Sequence, residues 1–187
     1  MKKLSILAFM FLIINSALMA QSDKYVKTME DKISQIKSAY TPEALLELAN
    51  AFVRIGDAEK NQWLPYYYAA YSHVMRGYMI SNGKQSGFAD QTDPEAARAE
   101  TYLNKALSLT NENAELLIVK KMISSLRMMA DPMNRWQTEG PIATEALAKA
   151  KQMDPQNPRI ALLEGQDKFY TPEQFGGSKS EAKLLFE

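Results

Sequence analysis

The sequence contains no cysteine among its 187 residues and only one histidine, His73. A chain without thiols has no disulfide framework, and it cannot carry the acyl group of a lipoprotein. No cluster of carboxylates with ligand spacing accompanies His73, so neither a metal site nor a general base is predicted there. We interpret His73 as a packing or surface residue of a helix, and helix packing must supply the stability of the fold.

An excess of either charge is also lacking, because 22 basic residues balance 22 acidic ones. Such a balance provides no electrostatic footprint for nucleic acid or for anionic membranes. The sequence contains no recognisable set of catalytic residues, no cofactor-binding motif and no metal site. The segment Gly176-Gly177-Ser178-Lys179-Ser180 lacks the upstream glycine of a phosphate-binding loop, and Ser178 or Ser180 fits a helix cap instead. We therefore predict no enzyme and no cofactor.

The one long apolar run lies at the N-terminus, where residues 1–20 are typical of a secretory signal peptide. Lys2 and Lys3 precede an apolar core, and Ala20 supplies the small residue for cleavage. The run is short for a bilayer span, although an uncleaved anchor is the alternative. We expect a mature chain from Gln21 with no membrane insertion, located in the periplasm or secreted.

Strand-like alternation is absent, whereas helix punctuation is frequent. Six of the eight prolines follow Thr, Asp or Asn, a pairing typical of helix starts and stops. Residues 21–187 are therefore predicted to form one all-α domain. Polar insertions are predicted at 81–92 and 131–140, each as a loop. The last helix, near the end of the chain, is predicted to be incomplete.

One pattern occurs three times within the predicted helices. A small residue, a large apolar residue and a second small residue follow each other at offsets 0, 4 and 7, which places them on one helix face. The pattern predicts close approach by neighbouring helices on both sides. A helix-ending residue stands at offset 12 in each copy: Gly56, Asn111 and Pro155. The three copies are Ala44, Leu48 and Ala51; Ala99, Leu103 and Ala106; and Ala143, Leu147 and Ala150.

This pattern resembles the second helix of the tetratricopeptide repeat, which keeps Ala, a large apolar residue, Ala and Pro at these places. The third copy matches at all four, and Gly165 stands where the small residue of a first helix would fall. The copies are 55 and 44 residues apart, whereas the usual period of this repeat is about 34. The resemblance implies a short right-handed α-solenoid of antiparallel helix pairs. An irregular helical bundle with alanine-rich contacts is the alternative.

In tetratricopeptide proteins the first helices line a concave groove that binds a protein or peptide, which implies a non-enzymatic scaffold. We expect Tyr66, Tyr67, Tyr71 and His73 to contribute to that groove, because tyrosine offers both contact area and a hydroxyl group. Packing of these rings against the insertions, with Phe88 or Trp136 among the contacts, is the competing interpretation. The alternative function is small-ligand binding in a pocket closed by 81–92 and 131–140. The identity of the partner and the oligomeric state do not follow from the sequence.

Overall fold

The computed structural model describes residues 23–83 and 86–187, and within them the chain is all-α. The predicted signal peptide at 1–20 lies outside these residues. In the part of the chain that is described, no helix is long and apolar enough to cross a membrane. The helices are α1 (23–36), α2 (Pro42–Glu59), α3 (Leu64–Ser81), α4 (Ala89–Leu107), α5 (Ala114–Ala130), α6 (Pro132–Met153), α7 (Pro158–Tyr170) and α8 (Lys179–Phe186), with a 3-10 turn at Glu173–Phe175.

Polar caps begin several of these helices. The side chain of Thr41 accepts a hydrogen bond from the Ala44 amide at 3.1 Å. Asn113 caps α5 and Asn157 caps α7 in the same way. Ser178 caps α8, which confirms one of the two serines predicted for this role. Each cap satisfies an amide that the first turn of a helix leaves without a partner.

From α2 to α8, each helix packs against the next one along the chain, and α3 also packs against α5. A buried core joins α3, α4, α5, α6 and α7, and a smaller one joins α1, α2 and α3. The half-buried side chains of Leu64, Tyr68, Met75 and Tyr102 contact both cores. The all-α prediction is confirmed, and the right-handed solenoid stays a prediction.

The repeated stripe faces the interior in all three copies, because Leu48, Leu103 and Leu147 are buried. The small residues of the second and third copies are buried as well: Ala99, Ala106, Ala143 and Ala150. In the first copy, by contrast, Ala44 and Ala51 are only half-buried. The first copy is therefore covered less completely than the other two.

Two of the three predicted helix ends are wrong. Gly56 lies inside α2, which continues to Glu59 and ends at Lys60 with a φ of 58°. A Cβ on Gly56 would stand 2.6 Å from Cζ of Tyr66, so the glycine allows close packing of α3 and does not end the helix. Asn111 lies beyond the end of α4 at Leu107.

The predicted loops are also partly helical. Helix α6 begins at Pro132 and continues through Pro141, so most of 131–140 is helix, and α4 begins at Ala89 and continues through Pro94. An internal proline removes one backbone hydrogen bond, and the rest of each helix compensates for this loss. A bidentate ion pair joins α4 to α6, since Arg135 donates to both carboxylate oxygens of Asp93 at 2.7 Å. The local sequence pattern, which predicts loops here, does not reveal this tertiary contact.

Candidate binding cavity

A cavity of about 450 Å³ lies where the N-terminal parts of α3, α5 and α7 meet. One wall comes from the start of α3, the floor from the first turn of α5, and the other wall from the connection between α6 and α7. This volume lies in the range of small-molecule sites in proteins. Its lining residues are Trp63, Leu64, Tyr67, Tyr68, Glu115, Asp154, Gln156, Asn157, Pro158 and Arg159.

Helix caps position two of the charged residues of the cavity, Glu115 and Arg159. Asn113 caps α5, so Glu115 falls in the first turn of that helix. Asn157 caps α7, and Pro158 occupies its first position, so Arg159 also falls in a first turn. Because these helix starts lie side by side, residues more than forty positions apart in the sequence come within hydrogen-bonding distance.

A closed set of hydrogen bonds forms the polar floor of the cavity. The Tyr67 hydroxyl donates to Oε2 of Glu115 at 2.6 Å, and it accepts from Nη1 of Arg159 at 2.5 Å. The guanidinium of Arg159 also contacts Glu115 directly. Nδ2 of Asn157 donates to Oε1 of Glu115 at 2.8 Å. Charge-assisted bonds of this kind are about twice as strong as neutral ones.

The same contacts decide the protonation states on the floor. Burial raises the pKa of Tyr67, and the bond to Glu115 raises it further, so the phenol stays neutral. Burial also acts to raise the pKa of Glu115, but hydrogen bonds from Tyr67 and Asn157 and the charge of Arg159 outweigh it. The pKa of Glu115 is therefore lowered. At neutral pH the floor contains one carboxylate and one guanidinium.

Aromatic rings form the wall above this floor. The ring of Tyr67 meets those of Trp63 and Tyr68 edge to face, with centroids 6.0 and 4.9 Å away, and stacks on Tyr71 at 6.4 Å. Tyr68 in turn stacks on Phe52 at 5.2 Å. Such packing holds the rings in defined orientations. The wall offers a rigid apolar surface to a flat ligand.

The structure places the four predicted groove residues in different surroundings. Tyr66 and His73 are buried, whereas the prediction has them contribute to an open groove. The close approach of α2 at Gly56 covers Tyr66, whose hydroxyl donates to Asp57 at 2.7 Å. Tyr67 is also buried, although it borders the cavity, and Tyr71 is half-buried beside it.

His73 belongs to a separate buried network between α3 and α4. Its Nδ1 lies 2.8 Å from Oε2 of Glu95, which also binds Arg76 and Arg98. Burial acts to raise the pKa of Glu95, but the bond from His73 and the two guanidinium charges lower it overall. This network does not line the 450 Å³ cavity. Its geometry is that of an internal ion pair.

Sequence reasoning missed the charged part of the cavity. The sequence predicted no binding role for Glu115 or Arg159. Asn157 and Pro158 indicate that a helix starts before Arg159, but they do not show which residues face Arg159. The described residues of the insertions 81–92 and 131–140 do not line this cavity, so it is not the pocket that the sequence predicts. Within 23–83 and 86–187, no three His, Asp or Glu side chains converge as for a metal ion.

The fold of this chain is similar to that of a solved protein. No family model matches the chain, and no curated protein does, so the tetratricopeptide resemblance stays a prediction. A solved structure, the HusA haemophore from Porphyromonas gingivalis, superposes with a TM-score of 0.73 at 33% identity. The match covers 86% of this chain and 76% of the haemophore chain. At that identity and coverage, the chain belongs to the family of the HusA haemophore.

Proposed function

We propose that this protein binds haem, or a closely related tetrapyrrole, outside the cytoplasm in the cavity between α3, α5 and α7. The observation that carries the proposal is the relationship to a haemophore across most of both chains. A haemophore is an exported haem-binding protein. The predicted signal peptide agrees with export, and the proposal includes no catalysed reaction.

The chemistry of the cavity fits such a ligand. A tetrapyrrole is a flat apolar ring with carboxylate groups at one edge. The half-buried rings of Trp63 and Tyr68 border the cavity and are available for stacking. The side chain of Arg159 is 41% exposed, and its planar guanidinium is suited to a carboxylate. The buried His73 is bonded to Glu95, so we assign it no contact with the ligand.

The two tryptophans allow a test with an internal control. Trp63 lines the cavity, whereas Trp136 lies on α6 and is 57% exposed. We would titrate haemin into Trp136→Phe, which retains the cavity tryptophan, and into Trp63→Phe, which retains the distant one. The proposal expects saturable quenching that is stronger in Trp136→Phe, together with a shifted Soret band.

Affinity gives the second measurement. Loss of one stacking ring costs about 1 to 1.5 kcal/mol, so Trp63→Ala should weaken haemin binding about tenfold. Trp136→Ala is the matched control and should bind like the wild type. If Trp63→Ala binds haemin as tightly as the wild type, the ligand does not occupy this cavity.

A protein-binding scaffold is the second candidate, and one observation favours it. Large apolar side chains are exposed along α7, α8 and the turn between them: Leu162, Phe169, Tyr170, Phe175, Leu184 and Phe186. Exposed patches of this kind are typical of protein contact sites. A pull-down from cell-envelope extract would compare the wild type with Tyr170→Ser and Leu184→Ser. The scaffold function requires a partner that both variants lose while haemin affinity is unchanged.

A further inference from the structure

A second cavity, of about 470 Å³, lies between α1 and α2. Helix α1 contributes one side of it and helix α2 the other. It shares no lining residue with the cavity between α3, α5 and α7. Its lining residues are Lys24, Tyr25, Thr28, Lys32, Ala51, Arg54, Ile55, Ala58 and Glu59.

The face of α2 that borders this cavity contains two alanines. On α2, Ala51, Ile55 and Ala58 follow at offsets 4 and 7, so they share one helix face. Only Ile55 is large and apolar, and α1 places Thr28 opposite this face. Facing helices usually fill such a space with interdigitating side chains. The two alanines leave part of the space between α1 and α2 unfilled.

The three copies of the stripe show that this gap is local. The second small residue of the stripe is Ala106 in the second copy and Ala150 in the third, and both are completely buried. The equivalent Ala51 is half-buried and faces the cavity. Within the described residues, the same sequence pattern is therefore covered completely in two copies and only partly in the first.

The rim of the gap is positively charged. Lys24, Lys32 and Arg54 oppose a single lining carboxylate, Glu59. Lys32 contacts Asp31 at 3.4 Å and donates to Oε1 of Gln35 at 3.1 Å, while no carboxylate of the described residues lies within 4 Å of Arg54. Burial, and then the charge of Glu59, raise the pKa of Tyr25, so its hydroxyl remains a hydrogen-bond donor. The lining thus combines an apolar floor with an excess of cations and donors.

We propose that the cavity between α1 and α2 binds a small amphipathic carboxylate. Its apolar body lies on Ala51, Ile55 and Ala58, and its carboxylate binds Arg54 and Lys32. The planar guanidinium can hold a carboxylate by two parallel bonds, and the volume is that of a small-molecule site. This site does not depend on what the other cavity binds.

Decanoate and decanol form a matched pair of probes, because they share the apolar chain and differ in charge. Each would be titrated into the isotopically labelled protein, with amide shifts followed by NMR. We expect saturable shifts at Ile55 and Ala58 with decanoate and little change at Glu115 and Arg159. Loss of a charge-assisted bond should make decanol bind about tenfold more weakly.

Charge variants complete the test. Lys32→Gln combined with Arg54→Gln should weaken decanoate about tenfold and leave decanol unchanged. Lys27→Gln, at an exposed residue of α1 outside the cavity lining, should change neither. The proposal is overturned if decanoate shifts map to the other cavity, if they do not saturate, or if Lys27→Gln weakens binding equally. Competition from haemin at Ile55 would also overturn it, because the two sites would then be one.

Discussion

Replacing Tyr67 by Phe tests whether the polar floor of the α3–α5–α7 cavity stabilises the fold. The change removes one hydroxyl, which donates to Glu115 at 2.6 Å and accepts from Arg159 at 2.5 Å. The ring and its contacts with Trp63 and Tyr68 remain. The variant therefore separates the hydrogen bonds from the aromatic packing.

The magnitude follows from the partners. A hydrogen bond to a charged group contributes about 1.5 to 3 kcal/mol net. Glu115 keeps Arg159 and Asn157 as partners after the substitution, so no charge is left unpaired. We therefore expect a loss near the lower limit, about 1.5 kcal/mol. For a chain of this size that corresponds to a fall in Tm of about 3 to 6 °C.

Urea denaturation followed by far-UV circular dichroism measures this free energy of unfolding. Tyr71→Phe is the matched control, since its ring stacks on Tyr67 while its hydroxyl makes no hydrogen bond within the described residues. We expect that control to change stability by less than about 0.5 kcal/mol. Equal stability of Tyr67→Phe and the wild type, or an equal loss in both variants, would refute the reasoning.

Three further predictions concern the buried contacts. Gly56→Ala should destabilise the protein by about 1 to 3 kcal/mol, because its Cβ would stand 2.6 Å from an aromatic carbon. Gly140→Ala, where the nearest atom is 3.6 Å away, should be neutral or stabilising in thermal denaturation. Since the pKa of Glu95 is lowered by folding, its contribution is complete above the usual glutamate pKa of about 4.3 and is lost as pH falls. The urea midpoint of Glu95→Gln should therefore fall less between about pH 5 and pH 3 than that of the wild type, and parallel curves would contradict this. The buried Lys121 pairs with the half-exposed Asp167, so Asp167→Ala should cost about 2 kcal/mol in urea denaturation, whereas Lys121→Met should be near neutral. The opposite order would contradict that account.

Most helices could be predicted because their causes are local. Thr41-Pro42 and Asn157-Pro158 begin helices through a side-chain cap and a proline that suits the first position. The repeated stripe predicted which faces are buried, and Leu48, Leu103 and Leu147 are buried as expected. Capping and helix periodicity depend on residues that are only a few positions apart, so the sequence shows them directly.

Helix ends and loops were predicted less well, because distant contacts decide them. Gly56 has the composition of a helix end, but the ring of Tyr66 requires a glycine at that place inside α2. Pro94 follows Asp93, a pairing typical of helix starts, yet it lies inside α4, and Pro141 lies inside α6. The local sequence pattern does not show which side chains from other segments contact a helix, so it cannot predict these differences.

The candidate site depends still more on tertiary structure. Sequence reasoning selected Tyr67 as functional, but not its partners Glu115 and Arg159, which lie 48 and 92 residues away along the chain. The sequence by itself determined an all-α chain with one repeated buried stripe, because helix periodicity and capping are local properties. Only the tertiary structure decided where α3, α5 and α7 converge and where Ala51 is covered only in part, because a cavity is the space that packing between distant residues fails to fill.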